Sequence, residues 1–318
     1  MPRCFLFPGQ GAQYPGMARD LYDASARVRE IFAEASDSAG FDCARLTFEG
    51  SEEELARTDN TQIALTLANL AALTVLVERG ITPEGAAGFS LGEYCALYAA
   101  GVLGLADLVH IVLVRGRLME KGSRSADGPE GPAGLLAVVG LASEESAAVL
   151  DELSGSEVYL ANHSSPMQVV VAGTAGGLNA AEEAFDEAGA MKIVRLKVSG
   201  PFHSPLLAGV KEEFAAELAR LEFRDPNIPV YANVSGARIR TGEEARLLCA
   251  EQIVSAVRWV DEESAILDDG FDEVYEVGPG KVLTGLWKSF TKSLKCKPAG
   301  TLEAIETLQQ NVGPGGQP

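Results

Sequence analysis

Short apolar runs that end at glycine or proline alternate, along this chain, with longer stretches in which apolar residues recur at helical spacing. That is the pattern of a sheet whose strands are joined by helices. Cys4 to Phe7 is uninterrupted apolar sequence and reads as a strand buried on both faces, halted by the loop Pro8-Gly9-Gln10-Gly11. In open α/β sheets, ligands collect at loops that leave the carboxyl ends of strands. Helices are predicted near residues 16–38 with a break, over 51–57 behind a Ser51 to Glu54 capping box, and over 62–79 up to Gly80. Gly85 to Phe89 is poor in strand-forming residues and is read as a strand only from the serine motif that it enters. Leu91, Tyr94, Cys95, Tyr98 and Val102 then share one helix face, and after Gly104 a second helix spans about Leu105 to Lys121.

The pattern changes after the polar, Gly/Pro-rich joint from Ser123 to Pro132. Strand, helix, strand, strand, helix, strand are predicted over Ala133–Leu141, Ser143–Leu153, Val158–Asn162, Gln168–Gly173, Leu178–Gly189 and Lys192–Val198, the order of a ferredoxin-like split unit. Residues 126–199 are therefore expected to form a small domain inserted into a larger one made of 1–125 and 200–297. The large domain resumes with helices near 206–220 and 243–254, a strand from Val230 to Asn233, a helix over Val260–Leu267 and a strand over Val274–Val277 that should rejoin the first sheet. Residues 298–318, which end in Gly-Pro-Gly-Gly-Gln-Pro, are expected to be a loosely ordered tail.

Composition narrows the function. The 318 residues are 47% hydrophobic and 22% charged, enough for a sizeable core. The formal charge of −19 argues against nucleic acid or an anionic membrane as the main partner, since both call for basic surfaces. Four lysines between Lys288 and Lys297 are the local exception and a candidate docking face for an acidic partner. The opening apolar run is too short for a signal peptide and no apolar segment of membrane-spanning length is expected, which places the protein in the cytoplasm. The five cysteines lie far apart without metal-ligand spacing, so no metal site is expected.

Gly88-Phe89-Ser90-Leu91-Gly92 carries the chemistry. Gly-x-Ser-x-Gly between a strand and a helix is a nucleophile elbow: the glycines let backbones cross closely, the hydroxyl stands clear, and the first helical N–H groups can bind an oxyanion. A serine needs a base, and three histidines could supply it. His110 lies on the far side of its helix, His163 in a turn of the inserted unit, and His203 where the chain re-enters the large domain; His203 is favoured, with the others open. No carboxylate near His203 offers itself as orienter. Arg115 falls on the apolar stripe of Leu108, Ile111, Val112, Leu118 and Met119. A guanidinium there must meet either an internal Asp or Glu, or a substrate carboxylate gripped by two parallel hydrogen bonds.

Phe7-Pro8-Gly9-Gln10-Gly11-Ala12-Gln13, Gly88–Tyr94, Val114–Met119, Asn162 with Ser165-Pro166, Gly200–Ser204 and Tyr275–Leu286 together resemble the malonyl-CoA:acyl carrier protein transacylases, over about residues 3–290. The resemblance implies an α/β-hydrolase-like large domain with an inserted ferredoxin-like domain, and transfer of malonyl from malonyl-CoA to the phosphopantetheine thiol of an acyl carrier protein, by a monomer and without cofactor. It implies Ser90 as nucleophile, His203 as base and acid, Arg115 on the malonyl carboxylate, and the N–H groups of Gln10 and Leu91 as oxyanion hole. Gln252 matches the position whose main-chain carbonyl orients the histidine. Phe89, Asn162 and Phe202 are candidate pocket residues; Phe89 departs from the family's usual histidine, and the aromatic ring of Phe202 resembles malonyl-selective members. The alternative is a serine hydrolase that edits carrier thioesters.

Overall fold

A computed structural model describes residues 1–311. The chain runs β1 (Arg3–Phe7), α1 (Arg19–Ala24), α2 (Ala26–Ala39), α3 (Cys43–Glu49), α4 (Glu52–Ala56), α5 (Thr58–Glu78), β2 (Gly85–Gly88), α6 (Gly92–Ala99) and α7 (Leu105–Ser125). It continues through β3 (Gly134–Val139), α8 (Ser143–Glu152), β4 (Val158–Ser165), β5 (Gln168–Gly173), α9 (Ala175–Glu187) and β6 (Lys192–Arg195). Next come α10 (Ala208–Leu218), β7 (Tyr231–Ala232), β8 (Ala237–Arg238), α11 (Gly242–Glu251), α12 (Trp259–Asp268), β9 (Glu273–Glu276), α13 (Val282–Phe290), β10 (Cys296–Pro298) and α14 (Leu302–Asn311).

The first sheet has the order β10-β9-β1-β2, with every pair parallel. β1 explains its unbroken apolar run: Phe5 and Phe7 enter one core cluster, Cys4 and Leu6 the cluster on the other face. β2 reads poorly as a strand for a packing reason. A Cβ on Gly88 would lie 2.0 Å from the Gly92 carbonyl carbon, one on Gly92 2.0 Å from the Phe7 oxygen, and one on Gly85 2.3 Å from the Phe271 ring. Helix α6 thus starts directly on the strands, and only glycine allows that approach. The segment at 230–233 does not enter the sheet as a full strand: Val230 bridges Ala86, and β7 pairs with β8 as a short hairpin.

The second sheet, β4-β5-β3-β6, is antiparallel throughout. Leu136, Val138, Val169 and Val171 pack on one face with Leu178 and Phe185 of α9, while Leu135, Ala137, Val170 and Ala172 join the main core on the other. The central strands β3 and β5 are apolar on both sides because both faces are covered there, whereas the edge strand β6 is largely exposed. β4 also bridges to Val257 through Asn162, so the sheet edge is stitched to the segment after α11.

Two expectations need correction. The tail predicted over 298–318 is structured as far as it is described: β10 adds an edge strand, and α14 buries Ile305 and Leu308 in the core. The closing Gly-Pro-Gly-Gly-Gln-Pro lies outside the described residues. An apolar helix of membrane-spanning length does exist, α5, but it is apolar all round because it is 83% buried inside the fold. The Ser51–Glu54 capping box forms as predicted.

Candidate active site

Three segments meet at the carboxyl ends of β1 and β2. The elbow is the first. Ser90 takes φ 51°, in the left-handed region that a side chain avoids, and this turn lifts its hydroxyl off the strand-to-helix corner. The Pro8-Gly9-Gln10 loop crosses immediately above it: a Cβ on Gly9 would lie 2.3 Å from the Phe89 carbonyl oxygen. Asn69 of α5 holds that loop from behind, donating to the Pro8 carbonyl at 3.0 Å. Gln10 therefore follows directly on the residue that packs against the elbow. Leu91 stands at the N-terminus of α6, and the N–H groups of Gly92, Glu93 and Tyr94 donate to the carbonyls of Phe89, Ser90 and Leu91.

The second segment brings in His203, also at positive φ (60°) and 4% exposed. Its Nε2 lies 2.7 Å from Ser90 Oγ and its Nδ1 2.8 Å from the main-chain carbonyl of Gln252. That carbonyl does what the sequence offered no carboxylate for: it accepts from Nδ1–H and so leaves Nε2 unprotonated toward the serine. Burial, and then the Arg115 charge, pull the imidazole down to about 4, so it is neutral at physiological pH. The other two histidines are elsewhere. His110 is half-exposed, 3.9 Å from Glu217. His163 touches Ser143 Oγ in a cavity of about 720 Å³ beside α8, whose lining includes neither Ser90 nor His203.

Arg115 completes the group from α7. It is 1% exposed, lies over the Tyr94 ring at 5.3 Å, and its Nη2 donates to Gln252 Oε1 at 3.0 Å and to Ser90 Oγ at 3.4 Å. The internal salt bridge that its apolar stripe allowed is not what it finds. It meets neutral acceptors, and its Nε has no partner among the described residues. A buried cation in that state is poised to bind an anion directly beside the serine hydroxyl.

The candidate pocket residues fall in different places. Phe89 turns its ring against Trp259 at a centroid distance of 5.4 Å, which gives its aromatic character a packing role behind the elbow. Phe202 is buried in the main core next to His203. Asn162 is 8% exposed at the bulge of β4, with its side-chain oxygen unpartnered. The Lys288–Lys297 cluster is not near the site. The lysines at 292 and 295 precede β10, so they lie at the amino ends of the parallel strands while Ser90 lies beyond a carboxyl end, and Lys297 pairs with Glu273 at 3.1 Å. Tyr275–Leu286, part of the resemblance, is structural: Glu276 accepts from the backbone N–H groups of Leu283 and Thr284 and caps α13.

Three further residues close around the elbow that sequence reasoning passed over. Glu93, Asn233 and Glu262 are fully buried and hydrogen-bonded to one another or to Gln252. Glu262 carried a signal of the kind that marked Arg115, because Trp259, Glu262, Glu263 and Ile266 form the buried stripe of α12.

A parallel sheet with a strained serine elbow, a backbone-oriented histidine and a buried arginine is the arrangement of an acyl-transfer enzyme. Residues 4–314 match the family described as acyl transferase domain. The chain is 37% identical over 310 residues to the malonyl CoA-acyl carrier protein transacylase of Bacillus subtilis, covering 97% of this chain and 96% of that one. It is 38% identical over 308 residues to the enzyme of the same name from Escherichia coli, covering 95% and 98%. Among solved structures, an acyl carrier protein S-malonyltransferase from Vibrio cholerae superposes with TM-score 0.91 at 35% identity, over 97% of this chain and 100% of that one. A malonyl-transacylase solved with a type II polyketide acyl-carrier protein gives TM-score 0.92 at 35% identity, over 98% and 100%. The chain belongs to the malonyl-CoA:acyl carrier protein transacylase family.

Proposed function

We propose that the protein moves a malonyl group from malonyl-CoA to the phosphopantetheine thiol of an acyl carrier protein, in fatty acid or polyketide biosynthesis. His203 Nε2 takes the Ser90 proton as Oγ attacks the thioester carbonyl, and the N–H groups of Gln10 and Leu91 receive the oxyanion. Collapse expels the CoA thiolate, which takes the proton from His203. The carrier thiol then gives His203 its proton and attacks the malonyl-serine ester, and Ser90 leaves with that proton. Atoms and charges balance with the two thiols alone, so the cycle asks for no metal or cofactor. Every residue in it comes from one chain, so a monomer suffices. Phe202 and Asn162 would bound the acyl pocket.

The observation that carries this reading is Arg115, buried, short of partners and 3.4 Å from Ser90 Oγ. A hydrolase of neutral acyl groups would leave that charge unmatched. The strand order of the second sheet, with its β-α-β-β-α-β sequence, supports a ferredoxin-like insert, and the parallel sheet with its elbow supports an α/β-hydrolase-like large domain. Five cysteines, all free and buried, fit a cytoplasmic setting. The test is intact-mass spectrometry after incubation with malonyl-CoA. The wild type should gain one malonyl group and Ser90→Ala none; a malonyl adduct on Ser90→Ala would refute the cycle.

A further inference from the structure

The left-handed backbone of Ser90 is strained and persists only where its surroundings hold it. One side chain holds it from two sides. Asn233 Oδ1 accepts the Ser90 N–H at 2.7 Å, and Asn233 Nδ2 donates to the Gly88 carbonyl at 2.7 Å, so a single amide clasps both sides of the turn. Oxygen and nitrogen of an amide have nearly the same shape, so something must decide which faces Ser90. Four contacts decide it together: Oδ1 accepts from the Ser90 N–H and from Gln252 Nε2, and Nδ2 donates to the Gly88 carbonyl and to Glu262 Oε1 at 2.8 Å. The carboxyl of Glu262 is fully buried, and burial holds it well above the usual carboxylate range.

The clasp also reaches the rest of the site. Gln252 Nε2 donates to the Ser90 carbonyl at 3.1 Å, to Glu93 Oε2 at 2.8 Å and to Asn233 Oδ1 at 3.2 Å, and the backbone N–H of Asn233 donates to Glu93 Oε2 at 3.0 Å. Gln252 is the residue whose main-chain oxygen orients His203 and whose side-chain oxygen receives Arg115. One hydrogen-bonded unit therefore carries the serine turn, the histidine's orienter and the arginine's resting partner.

We infer that Asn233, backed by Glu262, is a positioning residue that locks the Ser90 turn and ties it to Gln252, so that nucleophile, base and arginine keep one mutual geometry. The inference rests on the malonyl-serine cycle proposed above. Asn233→Asp keeps the size but turns the Nδ2 donor into an acceptor facing two acceptors, Gly88 O and Glu262 Oε1. Asn233→Ala removes the clasp. Asn233 is fully buried beneath the turn, so both act on the chemical steps rather than on an exposed surface.

The experiment is single-turnover acylation and deacylation on folded, thermally characterised protein. Asn233→Ala and Asn233→Asp should slow both steps about 100-fold, the scale of a 1 Å misplacement, with KM for malonyl-CoA moving less than about 3-fold. Glu262 reaches the serine only through Asn233 and supplies the second test. Glu262→Gln keeps the acceptor and should stay within about 3-fold of wild type, whereas Glu262→Ala leaves Nδ2 one of its two acceptors and should lose about 10-fold. Wild-type step rates in a folded Asn233 variant would overturn the inference, and so would a Glu262→Gln variant as slow as Glu262→Ala. A malonyl adduct on Ser90→Ala sinks the underlying cycle instead, so the two failures are told apart.

Discussion

Removing the Arg115 guanidinium should convert a malonyl-selective site into an indifferent one. In the resting protein Nη2 holds two neutral acceptors, at 3.0 and 3.4 Å, and Nε has none. A malonyl carboxylate therefore adds charge-assisted hydrogen bonds rather than replacing an ion pair. Such bonds contribute about 1.5–3 kcal/mol each, and two of them, discounted for loss of the contact to Gln252, leave about 3 kcal/mol. At about 1.4 kcal/mol per factor of ten, that is roughly 100-fold in kcat/KM for malonyl-CoA. Acetyl-CoA lacks the carboxylate and, with wild type, leaves the cation desolvated and unmatched beside it, so Arg115→Ala should raise acetyl transfer even as malonyl transfer falls. The assay is competition between malonyl-CoA and acetyl-CoA read by intact mass of the acyl-enzyme, with circular dichroism to verify that the variant folds. A folded Arg115→Ala protein with unchanged malonyl preference would make the arginine a purely structural group and refute the reasoning.

The geometry sets the remaining outcomes. Since His203 is pushed from 6.5 down to about 4, the acid limb of kcat/KM should lie well below 6.5; a limb at 6.5 would mean that the imidazole is solvated during turnover. The same depression has a stability sign: below 6.5 the unfolded chain takes a proton that folded His203 refuses until about 4, so denaturant midpoints should fall as pH drops through that window. Charge reversal at Lys292 and Lys295 should leave KM for the carrier unchanged, because those lysines sit at the opposite end of the strands from Ser90; a selective rise in carrier KM would restore them as its docking face.

What could be read in the sequence was what local patterns encode. The β1 run, the elbow, the β-α-β-β-α-β order and the Ser51 cap are each contained within a few neighbouring residues, and each is found where the pattern put it. Helix α3 was missed because its seven residues hold too few apolar positions to show a period, though Asp42 caps it. The tail was misjudged because the Gly/Pro-rich end overshadowed Leu302, Ile305 and Leu308, whose spacing is that of one buried helix face.

The site divides along the same line. Ser90 and Arg115 announced themselves locally, one by its motif and one by a charge on an apolar stripe. The clasp did not, because Asn233 meets Ser90 across 143 positions and Gln252 meets it across 162. No local period encodes such a pairing. What the sequence does encode is the demand for one: a charge set among residues that will be buried must find a partner or become neutral. Applied to α12, that rule picks out Glu262 and Glu263 between Trp259 and Ile266, and in the structure both carboxyls are raised by burial, Glu263 to about 9. Glu263 accepts from the Trp259 indole at 2.9 Å, and that ring in turn backs Phe89. The two carboxyls thus brace the elbow from one helix, Glu262 through Asn233 and Glu263 through the aromatic pair. A helix far along the sequence from the nucleophile's own motif is, by this route, one of its supports.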